Sequence, residues 1–239
     1  MSRTPAGAEP TDSEVVRRFD RAADRYEAWY ETERGARAAA LERRLIASLL
    51  GAGASAGRAL EVGCGTGYFT AWLAERHGGV VGLDPAPAML RELRRRGRRF
   101  PVVRGDAHRL PFANGSFEAV FFLTTLEFLP DPARALREAI RVARSDVVIL
   151  WLNPWSLGAI RRSFAPGFLL SQARKLGLRH VRAMLLEAGG KRARGIEWRS
   201  ALFPWPMRHA VTRAPLGDVL GIRLSLVAGR DDGTAPSPG

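Results

Sequence analysis

The residues best suited to bind a ligand are three glycines and two acids in the first half of the chain. Gly63, Gly65 and Gly67 occupy alternate positions in the phrase L-E-V-G-C-G-T-G-Y. Glycine tolerates positive φ angles and lets a ligand approach the bare backbone. Glu61 precedes the glycines, and Asp84 follows the last of them by 17 residues. A carboxylate about 20 residues beyond such a loop, at the end of the next strand, can accept hydrogen bonds from a ribose.

Strand and helix patterns alternate around these residues. We predict strands at 59–62, 80–84, 116–123 and 146–152, a further strand with its exit loop at 102–107, and helices at 68–76, 85–96 and 132–143. Because the two kinds of element alternate at steady intervals, the sequence predicts a doubly wound α/β sheet. The glycine loop, Asp84, Asp106 and residues 124–127 would then lie at the carboxyl ends of the strands, where such sheets bind ligands.

Two longer phrases resemble a known family. The glycine phrase is similar to motif I of class I S-adenosylmethionine-dependent methyltransferases, and G-D-A-H-R-L-P-F-A-N-G-S-F-E, from Gly105, is similar to a later motif of the same family. Asn114 departs from the aspartate that is common in this second motif. The branch that includes quinone-biosynthesis methyltransferases is the most similar.

The resemblance implies both a fold and a cofactor. We expect a Rossmann-like, mostly parallel seven-stranded sheet with an antiparallel last strand. We also expect an N-terminal helical cap and a lid insertion after strand five. The last two strands, at 196–203 and 222–228, would follow a helix at 171–188. The cofactor would be S-adenosyl-L-methionine, and the product S-adenosyl-L-homocysteine.

The family's cofactor contacts carry over by position. Glu61 would help hold the loop and the cofactor's amino group, Asp106 would accept from the adenine amino group, and the Ala107 N–H would meet a ring nitrogen. The full set of expected cofactor-binding residues is Glu61, Gly63, Cys64, Gly65, Thr66, Gly67, Asp84, Pro85, Met89, Gly105, Asp106, Ala107 and Thr124.

The acceptor side is less defined. Residues after the fourth strand line the methyl-transfer cleft in this family, so Glu127 is one candidate catalytic group, although it could equally be a packing or surface residue. His108, in the loop after the third strand, is the other candidate, although a histidine at such a place is more often a solvent-facing loop residue than a base. The expected substrate-binding residues are Tyr26, Tyr30, Glu127, Asn153 and Trp155. The family mechanism is in-line displacement at the sulfonium methyl, which needs alignment more than a strong base. The expected acceptor is an unidentified small molecule.

The charge distribution leaves alternatives open. The chain has 239 residues and a net charge of +13, and only Lys175 and Lys191 are lysines. From Arg141 onward there are 16 basic and 6 acidic residues, a difference of +10. An RNA or protein methyltransferase that uses this basic part is one alternative, and a non-catalytic cofactor-binding partner is another. A nicotinamide-dependent oxidoreductase is disfavoured by the G-x-G-x-G spacing. Nucleic acid is therefore a weaker expectation than a small molecule, and the oligomeric state is not readable.

The composition and the sequence pattern also predict the location of the protein and its domain boundaries. The sequence has no run of about 18 apolar residues, which a transmembrane helix would need, and its polar beginning does not resemble a secretory signal, so we expect a cytoplasmic protein. Its single cysteine excludes a cysteine metal cluster, and no metal site is expected. We predict one domain at 13–230, with a helical cap at 13–50, a cofactor-binding core at 58–153, and the lid and C-terminal hairpin at 154–230. Residues 1–12 and 231–239 would be disordered tails.

Overall fold

A computed structural model describes residues 14–51, 57–156, 173–202 and 210–227. Its centre is a seven-stranded sheet in the order β3-β2-β1-β4-β5-β7-β6. The strands are β1 (Ala59–Val62), β2 (Val80–Asp84), β3 (Val102–Arg104), β4 (Phe117–Leu123), β5 (Ala143–Leu152), β6 (Ala193–Ala201) and β7 (Val219–Leu226). The first five strands run parallel, and β7 is antiparallel to both of its neighbours. The expected sheet, with its antiparallel last strand, is confirmed.

Helices cover both faces of the sheet. They are α1 (Glu14–Ala22), α2 (Ala28–Glu31), α3 (Glu33–Leu50), α4 (Tyr68–Ala74), α5 (Pro87–Arg95), α6 (Pro132–Val142) and α7 (Leu178–Gly189), with short 3₁₀ helices at Leu126–Phe128 and Gly190–Arg192. In the part of the chain that the structure describes, no helix is long and apolar enough to cross a bilayer.

The central strands are buried on both faces, which explains their continuous apolar runs. Every residue of β1 and β2 is buried. Along β4, Val120 and Phe122 pack into the core beneath α6 and α7. Phe121, between them, packs on the opposite face with Leu45 and Leu73 of α3 and α4. Successive strand residues point to opposite faces, so two apolar layers hold the sheet rigid and fix the ends of its strands.

The helix that we predicted at 171–188 begins later, at Leu178. Residues 173–177 are not helical, and 171–172 lie outside the described residues. The Arg174 N–H donates to the Glu127 carbonyl at 2.7 Å, and the indole N–H of Trp151 donates to the Leu176 carbonyl at 2.8 Å. These tertiary bonds hold the segment in a non-helical conformation and satisfy the polar atom of a fully buried tryptophan.

The N-terminal helix is also shorter than its apolar spacing predicts. α1 ends at Ala22, and a turn over 23–27 separates it from α2. We refer to residues 14–31 as the cap segment. The predicted lid falls mostly on 157–172, and the predicted tails on 1–12 and 231–239, all outside the described residues; these boundaries remain predictions.

Candidate active site

A cleft opens at the carboxyl ends of β1, β2 and β4, beneath the cap segment. It encloses about 850 Å³ of empty space, including the part open to solvent. Its lining comes from the cap segment, the glycine loop and the loops after β2, β3 and β4. These residues are Val15, Val16, Phe19, Tyr26, Val62, Gly63, Gly65, Leu83, Asp84, Pro85, Ala86, Met89, Asp106, Ala107, His108, Leu123, Thr124, Thr125, Phe128, Leu129 and Pro130.

The three glycines of the loop all have positive φ angles, of 75°, 53° and 81° in chain order. A Cβ on Gly63 would lie 2.3 Å from the side chain of Thr125, and a Cβ on Gly67 would lie 2.8 Å from that of Leu93. Gly65 differs, because the nearest atom to its Cβ position is the Met89 sulfur at 3.9 Å. Packing therefore requires the outer two glycines, whereas Gly65 presents bare backbone to the cleft.

Asp84 ends β2 and organises the loop. One carboxylate oxygen accepts the Gly65 N–H at 2.8 Å, and the other accepts the Ala86 N–H at 2.8 Å. Burial raises the pKa of Asp84 to about 6, and the two backbone hydrogen bonds oppose that rise. A carboxylate has about four acceptor sites. After the two backbone bonds, Asp84 can still accept two donors from the cleft that it lines.

His108 and Asp106 form a hydrogen-bonded pair at the end of β3. The Nδ1 of His108 lies 2.6 Å from an Asp106 carboxylate oxygen, which also accepts the His108 backbone N–H at 3.0 Å. The Asp131 N–H points at Nε2 of the imidazole over 3.4 Å. In this arrangement Nδ1 faces the Asp106 carboxylate, and Nε2 is placed to accept the Asp131 N–H. Both ring nitrogens are thus engaged, which favours a positioning role for His108.

The exit from β4 forms the floor of the cleft. Thr124 has a φ of 53°, unusual for a residue with a side chain. The Thr125 hydroxyl lies 3.4 Å from the Gly63 carbonyl, so this exit contacts the glycine loop directly. The ring of Phe128 packs edge-on against Phe19 of the cap segment, with 5.2 Å between centroids. Contacts of the Thr125 side chain and of the Phe128 ring therefore connect the floor of the cleft to the glycine loop and to the cap segment.

Comparison with known proteins agrees with this architecture. Residues 60–150 match the family model of the methyltransferase domain. The chain is 34% identical over 198 residues to malonyl-[acyl-carrier protein] O-methyltransferase of Halorhodospira halophila, covering 77% of this chain and 64% of that protein. It is 40% identical over 132 residues to demethylmenaquinone methyltransferase of Roseiflexus sp. strain RS-1, covering 52% of this chain and 55% of that one.

A solved structure with the same fold is the SAM-dependent methyltransferase of Thermotoga maritima. It superposes with a TM-score of 0.72 at 26% identity, covering 87% of this chain and 98% of that one. This chain carries a class I S-adenosylmethionine-dependent methyltransferase domain. The expected family is thereby confirmed, and the comparisons support S-adenosylmethionine as its cofactor. The chain spans about half to two thirds of the length of the curated relatives it matches.

Several expected cofactor residues of the methyltransferase domain lie behind the cleft lining. The Glu61 carboxylate accepts the Thr70 hydroxyl at 2.6 Å, and burial raises its pKa to about 8. Cys64 packs against Gly82 of β2, where an added Cβ would lie 2.8 Å from the cysteine sulfur. Thr66, Gly67 and Gly105 are likewise outside the lining. These residues support the shape of the loops, while Gly63, Gly65, Asp84, Pro85, Met89, Asp106, Ala107 and Thr124 face the cleft.

The structure does not bring Glu127 to the cleft. Its side chain is fully buried, and one carboxylate oxygen accepts the Leu152 N–H at 3.1 Å. Asn153 is also turned inward, because its amide nitrogen donates to the carbonyls of Pro215 and Gly217 at 3.1 and 2.9 Å. Trp155 is 75% exposed and is not part of the cleft lining.

Tyr26 and Tyr30 of the cap segment lie in different environments. Tyr26 lines the cleft, and burial raises its pKa above the usual value. Tyr30 instead stacks on Tyr68 of α4, with 4.1 Å between ring centroids. The family resemblance implied a cap, but it did not show which ring would face the cleft.

Sequence reasoning missed two sets of residues. Ala86, Leu129 and Pro130 line the cleft, and the only available signal was their position after predicted strands, whereas Leu83 lies inside the strand predicted at 80–84. Arg96 and Arg98, in the arginine run at 94–99, contact Glu27 of the cap segment. The carboxylate of Asp20 also accepts the Ala88 N–H at 2.7 Å and so caps α5 from a distance of 68 residues in sequence.

Proposed function

We propose that this chain is an S-adenosylmethionine-dependent methyltransferase that acts on a small-molecule acceptor. The observation that carries the proposal is the hydrogen bond between the Asp84 carboxylate and the backbone of the glycine loop. A buried carboxylate at the end of β2 holds the Gly65 N–H at 2.8 Å while facing an open cleft. A nucleoside ribose needs such an acceptor beside bare backbone.

The residues present fit the adenosyl cofactor. Asp84 would accept the two ribose hydroxyls through its remaining acceptor sites. Gly65 would meet the methionine part, because its backbone lines the cleft. Asp106 and Ala107 line the cleft beyond Asp84, and they would receive the adenine edge.

When bound, the cofactor supplies an electrophilic methyl group on a positively charged sulfur. The chain's own contribution is alignment and exclusion of water. Thr124 and Thr125 border the floor, and Val16 and Phe19 close the cleft from above with apolar side chains. Correct alignment alone can supply much of the rate enhancement of a two-reactant step. The buried position of Glu127 supports a mechanism that does not use it as a base.

The acceptor class is proposed from the lining. Val15, Val16, Phe19, Phe128 and Leu129 are apolar, and they favour an acceptor with an apolar portion near the reacting atom. The two relatives named above act on different acceptors, according to their names, so they do not select one. An RNA acceptor is the weaker alternative, supported only by the basic part after Arg141. A cytoplasmic location remains a prediction.

The proposal is tested by incubating purified protein with methyl-labelled S-adenosylmethionine and separate panels of apolar, anionic and RNA acceptors. We expect labelled product and S-adenosylhomocysteine from at least one apolar acceptor. Turnover with RNA alone would overturn the small-molecule assignment. Cofactor binding without transfer to any panel would favour a non-catalytic partner protein, and NAD binding in place of S-adenosylhomocysteine would overturn the cofactor assignment.

A further inference from the structure

Glu27 is a buried acidic residue of the cap segment. It lies in the turn of the cap segment, immediately after Tyr26 of the cleft lining, and it is only 2% exposed. One carboxylate oxygen accepts the Thr66 hydroxyl at 2.8 Å and a hydrogen bond from the Arg98 guanidinium. The other oxygen pairs with Arg96 at 2.6 Å. A buried carboxylate needs this degree of pairing to remain in the fold.

The network ends on the glycine loop itself. Thr66 is fully buried between Gly65 and Gly67. Its hydroxyl is held by Glu27, and its carbonyl accepts a hydrogen bond from the Arg98 guanidinium. Arg98 therefore contacts the loop and the cap acid at the same time. We call the four residues Glu27, Thr66, Arg96 and Arg98 the latch.

The latch connects the cap segment, which covers the cleft, to the glycine loop beneath it. Tyr26 lies on the cleft side of the cap turn, 4.0 Å from the Cβ position of Gly65. Both residues line the cleft, so a ligand bound there would have the cap segment on one side and the glycine loop on the other. Opening the cap would separate Glu27 from Thr66 and Arg98, which costs the pairing of a buried charge.

We propose that Glu27 is a positioning residue that fastens the cap segment to the glycine loop and thereby sets how long an adenosyl ligand stays bound. Through Thr66 the same carboxylate also fixes the loop that presents the Gly65 backbone. The proposal rests on the adenosyl cofactor of the proposed function for its ligand, but not for the contact between cap and loop.

The chain offers matched controls. Glu31 pairs with the same Arg96 at 3.3 Å, but its side chain is 67% exposed, and no contact joins it to the glycine loop in the described residues. Glu31→Gln therefore removes one charge of the cap segment outside the latch. Thr66→Ser keeps the hydroxyl, whereas Thr66→Val removes it and keeps the shape of the side chain.

The first readout is the dissociation rate of S-adenosylhomocysteine, measured by stopped-flow displacement on the intact protein. We expect Glu27→Gln to raise this rate by about tenfold or more, because two arginines lose their buried partner. Thr66→Val should raise it less, and Thr66→Ser and Glu31→Gln should leave it near the wild-type value. In the double variant, the effects of Glu27→Gln and Thr66→Val should be less than additive, since both break the same contact.

The second readout needs no ligand. Trypsin can cleave after the arginines of the cap segment, at positions 17, 18, 21 and 25. Under native conditions we expect Glu27→Gln to be cut there faster than wild type and faster than Glu31→Gln, with other sites unchanged. Equal cleavage and equal dissociation in a folded Glu27→Gln protein would overturn the proposal. Faster cleavage at all sites, in step with a lower melting temperature, would show only a general structural role and would also overturn it. If wild type fails to bind the ligand, the proposed function fails, while the cleavage comparison still decides whether the latch holds the cap.

Discussion

Asp84→Asn is the substitution that most directly probes the candidate cofactor site. The carboxylate accepts backbone N–H groups with both oxygens at 2.8 Å. An asparagine keeps one acceptor oxygen but turns an NH₂ donor toward the other N–H. It also removes the charge that the ribose hydroxyls would meet. Hydrogen bonds to a charged group contribute about 1.5–3 kcal/mol each. We therefore expect a loss of about 3 kcal/mol, or roughly a hundredfold in Kd for S-adenosylhomocysteine at pH 7.5.

The same site predicts a pH dependence of binding. Burial raises the pKa of Asp84 to about 6 in the ligand-free protein. Ribose donors favour the ionised carboxylate, so the pKa in the complex lies lower. Affinity is then complete above pH 6 and is lost as the pH falls below it, because the carboxyl must release its proton in order to bind. With a shift of one to two units, affinity at pH 5 falls by about five- to tenfold.

Isothermal titration calorimetry of wild type and Asp84→Asn between pH 5 and 8 measures both effects. Wild type should release protons on binding near pH 5, seen as a dependence of the heat on the buffer. Asp84→Asn should bind weakly and with little pH dependence. A wild-type affinity that is constant from pH 5 to 8, together with a variant that binds as tightly, would refute the role assigned to Asp84.

Three further predictions concern stability. Gly63→Ala would place a Cβ 2.3 Å from Thr125 at a φ of 75°, so we expect a loss of about 2–4 kcal/mol in thermal unfolding; an unchanged melting temperature would contradict this. Burial raises the pKa of Glu42 to about 8, so it contributes stability that is present below pH 4.5 and lost as the pH rises through 8. In urea unfolding, the free energy of unfolding of wild type should fall by roughly 3–5 kcal/mol more than that of Glu42→Gln between pH 4.5 and pH 8. Arg223 pairs with buried Asp146 at 2.7 Å, and Arg223→Met should cost about 2–4 kcal/mol in urea unfolding, part of which a second change, Asp146→Asn, recovers. Strictly additive costs would argue against the pair.

Much of the fold could be predicted because its signals are local. The buried parallel strands read as apolar runs, and each run ends at a turn residue or an acid. Gly63 and Asp84 are predictable for the same reason, since a strand–turn–helix unit places both at the end of a strand. The antiparallel last strand came from the family resemblance rather than from periodicity.

What escaped prediction depends on tertiary contacts. Whether Glu127 faces the cleft or the core is decided by the Leu152 N–H, 25 residues away. The latch joins Glu27 to Arg98 across 71 residues, and no spacing rule connects them. The start of α7 depends on the Trp151 indole N–H, which donates to the Leu176 carbonyl. Such pairings are properties of the packed sheet, so local patterns do not contain them.

A crystal structure of the complex with S-adenosylhomocysteine would show whether this cleft binds the cofactor. We expect the ligand in the cleft beneath the cap segment, with both ribose hydroxyls within hydrogen-bond distance of the Asp84 carboxylate. The methionine part would lie against Gly65, and the adenine against Asp106 and Ala107. A ligand bound elsewhere, or one whose ribose does not touch Asp84, would contradict the assignment of this cleft as the cofactor site.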